Sequence, residues 1–239
     1  MTDGGQRLLV VNADDLGQSA GIGRGVMAAH RAGIVTAASL MVRWPHAEEA
    51  ARMACGHPDL DLGLHVDTGE WRYDGSAWRP RYVVVSNEDE SAVRAEARRQ
   101  VARFRELVGR GPTHLDSHQH VHLSEPVRSV LVELAEELAV PLRCVTPGIR
   151  YRGDFYGQTG KGDPLPDAIT VRSLLDVLSS LPPGVTELGC HPAAAPDAPS
   201  SYRSERVQEL QVLCDPRVRE AVVRHGIRLC RRRPDQTLE

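Results

Sequence analysis

Residues 8–42 read LLVVNADDLGQSAGIGRGVMAAHRAGIVTAASLMV, and this stretch decides the class of fold. The run Leu8–Asn12 is rich in leucine and valine and free of charge, which suits a buried strand. Ala20–Ala32 then carries apolar residues at helical spacing and is closed by Gly33, read as a left-handed terminator. A second apolar run, Thr36–Val42, follows at once. Strand, helix and strand in succession form a βαβ unit, and its two strands must be parallel.

The alternation continues outward from this unit. Further strands are expected at Leu60–Val66, Thr113–Ser117, Leu142–Thr146, Val185–Cys190 and Ile227–Cys230. Helical patterns fall at His46–Cys55, from Ser86 to about Val108, from Ser124 to about Ala139, and at Thr170–Leu181, Ser204–Leu213 and Pro216–His225. Ser86 with Asp89 resembles a capping box. Every connection is long enough for a crossover helix, so the expectation is an α/β fold whose seven parallel strands close into a (β/α) barrel. No composition break divides the chain, and residues 1–239 are read as a single domain, with about 231–239 a flexible basic tail.

Composition narrows the function. The 239 residues are 41% hydrophobic and carry a net charge of −3, which argues against a dedicated nucleic-acid binder despite Arg231, Arg232 and Arg233. No apolar run reaches the ~18 residues of a membrane span. The short apolar run near the N-terminus, followed by two acids, does not match a signal peptide. Five widely spaced cysteines form no C-x-x-C pair, and scattered thiols suit a reducing cytoplasm. Lys161 is the sole lysine, so any Schiff-base or Walker-type mechanism would have to use it.

In parallel α/β folds the chemistry gathers where strands end. The ends here read Asn12-Ala13-Asp14-Asp15, Gly63-Leu64-His65-Val66-Asp67, His114-Leu115-Asp116-Ser117-His118-Gln119-His120-Val121-His122 and Glu187-Leu188-Gly189-Cys190-His191-Pro192. Asp14 and Asp15 either cap the next helix or share a divalent cation that relieves their repulsion. Alternating His114, Asp116, His118, His120 and His122 would crowd one strand face at high cost. The strand is therefore expected to end near Ser117, with His118 the leading ligand candidate and the other histidines supporting it. His65 and His191 are core histidines taken singly and site candidates taken together. One carboxylate with two imidazoles is a frequent divalent-metal set, and an adjacent carboxylate is placed to accept a proton from water.

The long connections Asp67–Val85 and Pro147–Ala168 concentrate aromatic residues, either for stacking on sugar rings or for ordinary loop packing. Gly21-x-Gly23-x-Gly25 lacks the dinucleotide fingerprint spacing and is read as helix-to-sheet packing. Rival classes are an amidohydrolase or phosphoesterase using His118-x-His120 or His120-x-His122, and a non-catalytic sugar binder.

The strings NADDLGQSAGIGRGVMAAHRAGIVTAASLMV, GLHVD, PTHLDSHQHVH and ELGCHP resemble, in order, the YdjC-like carbohydrate deacetylases. The resemblance runs from Leu8 to about Leu229. It implies a distorted TIM-like barrel, a divalent cation recorded as magnesium, and hydrolysis of an N-acetyl group from an amino sugar or oligosaccharide. Two imidazoles also suit zinc or another transition ion. By this resemblance the ligands are Asp15, His65 and His118, Asp14 is the base, and His191 protonates the leaving group. His120, His122 and Arg143, with Trp71, Trp78 and Tyr156 from the long loops, are expected to contact the sugar. Self-association into a homo-oligomer is compatible with the composition. The chain departs from the family pattern in VDTGEW after His65 and in the Asp67–Val85 loop, which leaves the identity of the sugar open.

Overall fold

The protein is described by a computed structural model covering residues 5–231. Chain order is β1 (Arg7–Leu16), α1 (Ala20–Ala32), β2 (Ala37–Leu40), α2 (Ala47–Cys55), β3 (Asp61–Val66), β4 (Gly69–Tyr73), β5 (Trp78–Val83), α3 (Glu90–Val108) and β6 (Leu115–Ser117). A short 3-10 segment, His118–Leu123, leads to α4 (Val127–Leu138), β7 (Ile149–Arg152), α5 (Val171–Ser179), β8 (Gly184–Cys190), α6 (Ser204–Leu213), α7 (Pro216–Arg224) and β9 (Ile227–Leu229). The helices start where side chains replace missing backbone acceptors. Ser19 Oγ accepts from the Ile22 amide, and Asp89 accepts from Ala92. Asp89, not Ser86, is thus the cap of α3.

Seven strands form one parallel sheet in the order β6-β3-β2-β1-β8-β7, with β9 paired to β1. One flank of β1 is shared. Arg7–Leu9 pair with β9, and Asn12 onward pairs with β2. The sheet is curled. Leu142 bridges to Leu115 outside β6, and Ile149 already pairs with β8 at the other edge. Seven residues reach at most about 25 Å, whereas a flat sheet would separate those edges by about 29 Å. The outcome is a curled half-barrel, and no ladder joins β7 to β6 among the described residues. Closure by continuous strand pairing, as the barrel reading required, is not seen.

Four expectations are corrected. The strand proposed at Leu142–Thr146 is a turn. Val145 and Thr146 amides donate back to the Leu142 carbonyl, and Cys144 has φ 59. β7, inside a stretch read as irregular, takes that place in the sheet. The Asp67–Val85 connection contains an antiparallel hairpin, β4–β5, whose turn is tied by Asp74 accepting from the Ser76 and Ala77 amides. Gly33 has φ −108, so it is not a left-handed terminator. A Cβ there would stand 2.6 Å from the carbonyl oxygens of Ala29 and Leu213. Likewise a Cβ at Gly25 would come within 2.4 Å of Ala193 Cα, so this glycine seats α1 against the segment after β8 and not against the sheet. Of the expected basic tail, Arg231 donates to the Pro58 carbonyl, and the remainder lies outside the described residues.

Candidate active site

β1 ends in two buried carboxylates that face different partners. Asp15 has φ 62, an unusual conformation for a residue with a Cβ, and such strain concentrates at functional sites. The departure sends the two aspartates apart. Asp15 Oδ1 lies 3.0 Å from His118 Nδ1 and 3.3 Å from His65 Nε2, while Arg206 Nη2 holds its Oδ2 at 2.5 Å. Asp14 is instead gripped by Arg143 through both oxygens, at 2.6 and 2.7 Å, and accepts a further bond from Asn12 Nδ2 at 2.7 Å. Burial favours the neutral carboxyl at both positions. The facing cations outweigh it, bringing Asp14 to about 2 and Asp15 well below the usual carboxylate range.

β3 delivers His65 and β6 delivers Asp116. His65 Nδ1 and Asp116 Oδ1 are 2.7 Å apart, which turns Nε2 of the ring towards Asp15. Asp116 also accepts from Ser39 Oγ at 2.6 Å. The strand ends at Ser117, as expected, and His118 begins the 3-10 turn. Gln119 and His120 then adopt φ 53 each, so the chain leaves the sheet abruptly. Burial disfavours charge on both rings, but Asp116 chiefly drives His65 up to about 10, and Asp15 drives His118 up to about 9. His118 Nε2 is buried with no hydrogen-bond partner among the described residues and lies 3.6 Å from Glu70 Oε2, itself unpartnered there.

Ligand atoms of Asp15, His65 and His118 lie within 4.8 Å of one another. The same spacing holds for Asp14, His65 and Asp116, but Arg143 occupies both of those carboxylates. The first trio therefore fits a divalent cation, and an ion there would displace the protons that the two imidazoles hold.

His191 lies at the end of β8, on the other side of Asp14. Its Nε2 is 3.8 Å from Asp14 Oδ2, and its backbone amide donates to Glu209 at 2.5 Å. Burial lowers this ring to about 4, so it is neutral at neutral pH. Glu209 on α6 is fully buried and accepts from Tyr202 Oη at 2.5 Å. Burial pushes its carboxyl up to about 8. Tyr156 stacks on Tyr202 at 4.4 Å between centroids and lies 5.1 Å from the His191 ring. It is thus beside His191.

The other expected sugar contacts divide. Arg143 is 1% exposed and spans Asp14, Asp116 and Glu187, on β1, β6 and β8. Only a curled sheet lets one guanidinium reach all three. His122 is 0% exposed and sits between Ser117 Oγ and the Arg143 carbonyl. Both pack behind the residues that line the site. His120 is half-buried, with Nε2 3.3 Å from Tyr151 Oη. Trp71 flanks Glu70 and is docked by Gln119, which exchanges two hydrogen bonds with its backbone. Trp78 is 53% exposed at the hairpin tip, about 13 Å along the strand from Tyr82, which pairs with Glu70. Lys161 lies over the Tyr73 ring, so the two long connections meet.

His114 lies in the core between Ser39 and Thr113. Arg43, Arg150 and Arg152, cations a phosphate substrate would draw on, are engaged by Glu96, the Pro183 carbonyl and Asp154. Sequence reasoning missed Glu70, Arg206 and Glu209, which come from a hairpin and a helix with no motif around them.

A family model described as YdjC-like protein matches residues 8–224. A carbohydrate deacetylase of Geobacillus stearothermophilus is 34% identical over 93% of this chain and 96% of its own. A chitooligosaccharide deacetylase of Serratia marcescens is 30% identical, over 94% and 97%. Among solved structures, an Enterococcus faecalis protein described as a cellobiose-phosphate cleavage protein superposes with TM-score 0.78 at 23% identity, covering 97% of this chain and 100% of its own. A family 4 carbohydrate esterase of Streptomyces lividans, in complex with acetate, gives 0.54 at 9% identity, covering 100% and 98%. The match over nearly the whole length places the chain in the YdjC-like family.

Proposed function

We propose that this protein is a carbohydrate deacetylase that hydrolyses the N-acetyl group of an amino sugar or oligosaccharide with a divalent cation held by Asp15, His65 and His118. The observation that carries the reading is the separation of the two adjacent aspartates: Asp15 faces two imidazoles, and Asp14 faces the gap towards His191. Relatives of matching length carry deacetylase names. When bound, the cation would supply an acidified water and polarise the acetyl carbonyl. Two imidazole nitrogens and one carboxylate favour a zinc-like ion over magnesium on ligand softness.

The chain's own groups supply the proton path. Asp14, fixed by Arg143, accepts the proton that the attacking water loses. His191 is neutral at rest and can donate only a proton it has received, and Asp14 Oδ2 is its nearest source. The C–N bond breaks, acetate leaves with the water oxygen, and Nε2 delivers the proton to the departing amine. Tyr156 lies beside His191, and it and Trp71 are the stacking surfaces for the ring. All five cysteines are free, which accords with action in a reducing cytoplasm.

The test is acetate release from mono- and oligosaccharides of N-acetylglucosamine after chelation and return of zinc, cobalt or magnesium, beside a phosphate-release screen. Acetate release that needs added metal supports the reading. Phosphate release without acetate rejects it.

A further inference from the structure

We infer that His30, His57 and Asp59 form a second divalent-metal site, built for a zinc-class ion, that ties the C-terminal turn of α1 to the connection between α2 and β3. The three residues each offer a ligand atom within 4.8 Å of the other two, and none belongs to the site at the strand ends. This inference does not rest on the reading of that site.

The chemistry of His30 is decisive. Its Nδ1 lies 2.9 Å from the Val35 carbonyl oxygen, which can only accept, so Nδ1 carries the proton. The neutral ring therefore presents its lone pair at Nε2. That atom points at Asp59 Oδ1, 3.4 Å away. A second contact that fixes the tautomer and aims the ring is the usual support of a metal-bound histidine. The His30 side chain is 6% exposed, so its rotamer is fixed by packing.

The other two donors come from a turn that is already rigid. The His57 amide donates to Ala54, and the Leu60 amide donates to the His57 carbonyl. Pro58 between them accepts from Arg231. The His57 ring stands edge-on to His30 at 5.4 Å between centroids. Asp59 completes the group with Oδ1 3.4 Å from His30 Nε2. The set is two imidazoles and one carboxylate, with Asp59 exposed and room for water to complete a tetrahedron. Such donors favour zinc, cobalt, nickel or copper over magnesium or calcium.

The test counts zinc on the chelator-treated chain by calorimetry, with cobalt spectra as a second readout. Two equivalents are expected for the unchanged protein, and one each for His57→Ala and Asp59→Asn, with acetate release retained. Both substitutions are at accessible turn residues, so the fold survives. Cys55→Ser serves as a control, because that exposed thiol is close in sequence. Equal zinc stoichiometry in His57→Ala, Asp59→Asn and the unchanged protein overturns the inference, as does loss of the equivalent in Cys55→Ser alone. Should the strand-end trio bind nothing, the counts become one in the unchanged protein and none in His57→Ala, so the two readings fail separately.

Discussion

Replacing Arg143 with methionine removes the one cation that three buried carboxylates share. The side chain is fully enclosed and donates to Asp14, Asp116 and Glu187 at 2.6–2.8 Å. Methionine keeps length and apolar bulk, so the loss is electrostatic. Breaking a single buried pair by deleting one partner costs about 3–5 kcal/mol. Three pairs share one guanidinium, so the losses do not simply add. Even the single-pair figure is a large part of the ~5–15 kcal/mol that stabilises a domain. The pH dependence carries a sign. Asp14 is depressed from 3.8 to about 2, so in the unchanged protein it contributes about 2 kcal/mol above pH ~4, lost as pH falls through about 2. Without Arg143, burial is opposed at Asp14 and Asp116 chiefly by His65, so their neutral forms gain. Lowering the pH from about 7 to about 4 then relieves the variant more than the parent. Urea unfolding of chelator-treated protein at both pH values, followed by circular dichroism, measures the gap. It should be at least ~3 kcal/mol near neutrality and shrink towards pH ~4. A gap below ~1 kcal/mol, or one that widens in acid, would refute the reasoning.

Three further outcomes follow from the same geometry. Glu209 is raised from 4.5 to about 8 by burial, with Tyr202, His191, Arg206 and Asp14 around it, so the folded chain holds its proton more tightly than the unfolded one. The Glu209 contribution to stability should therefore decline from pH ~4.5 to ~8, and Glu209→Gln should remove that part of the slope; parallel pH profiles for the two proteins would contradict it. A Cβ at Gly63 would stand 2.3 Å from the buried His114 ring, so Gly63→Ala should cost about 1–3 kcal/mol in urea titrations; an unchanged midpoint would show that the ring yields freely. Alanine in place of Asp15, His65 or His118 should abolish the zinc equivalent that remains in His57→Ala, and full occupancy in any of them removes that residue from the ligand set.

Much of the frame was legible because it is local. The apolar run at Leu8, the serine ahead of Ala20 and the glycine after Ala32 locate β1 and α1, since each acts on its immediate neighbours. The ends of β1, β3, β6 and β8 were legible for the same reason, and they do converge. The hairpin at Gly69–Val83 left a signal in Asp74-Gly75 between aromatic strands, but the length of the connection made it read as an irregular loop. Leu142–Thr146 has strand composition, yet Thr146 Oγ1 accepts from the Leu142 amide and closes a turn, a through-space choice. Arg143 read as a sugar contact because nothing adjacent shows that the curled sheet will bring three carboxylates around it. Glu70, Arg206 and Glu209 were illegible on the same ground, each reaching the site from an element whose own sequence is ordinary.

The most direct test of the central claim is bound metal and acetate release measured on one sample of Asp14→Asn. Asparagine keeps the side chain's shape but sets an amide against Arg143 where a carboxylate oxygen now accepts, so rates must be expressed per folded, metal-loaded chain. The account predicts that metal is retained while acetate release falls about 10²–10⁴-fold, the ordinary contribution of a positioned base. Full turnover with metal bound would contradict Asp14 as the proton acceptor, and loss of the metal would make it a ligand and reverse the division between the two aspartates.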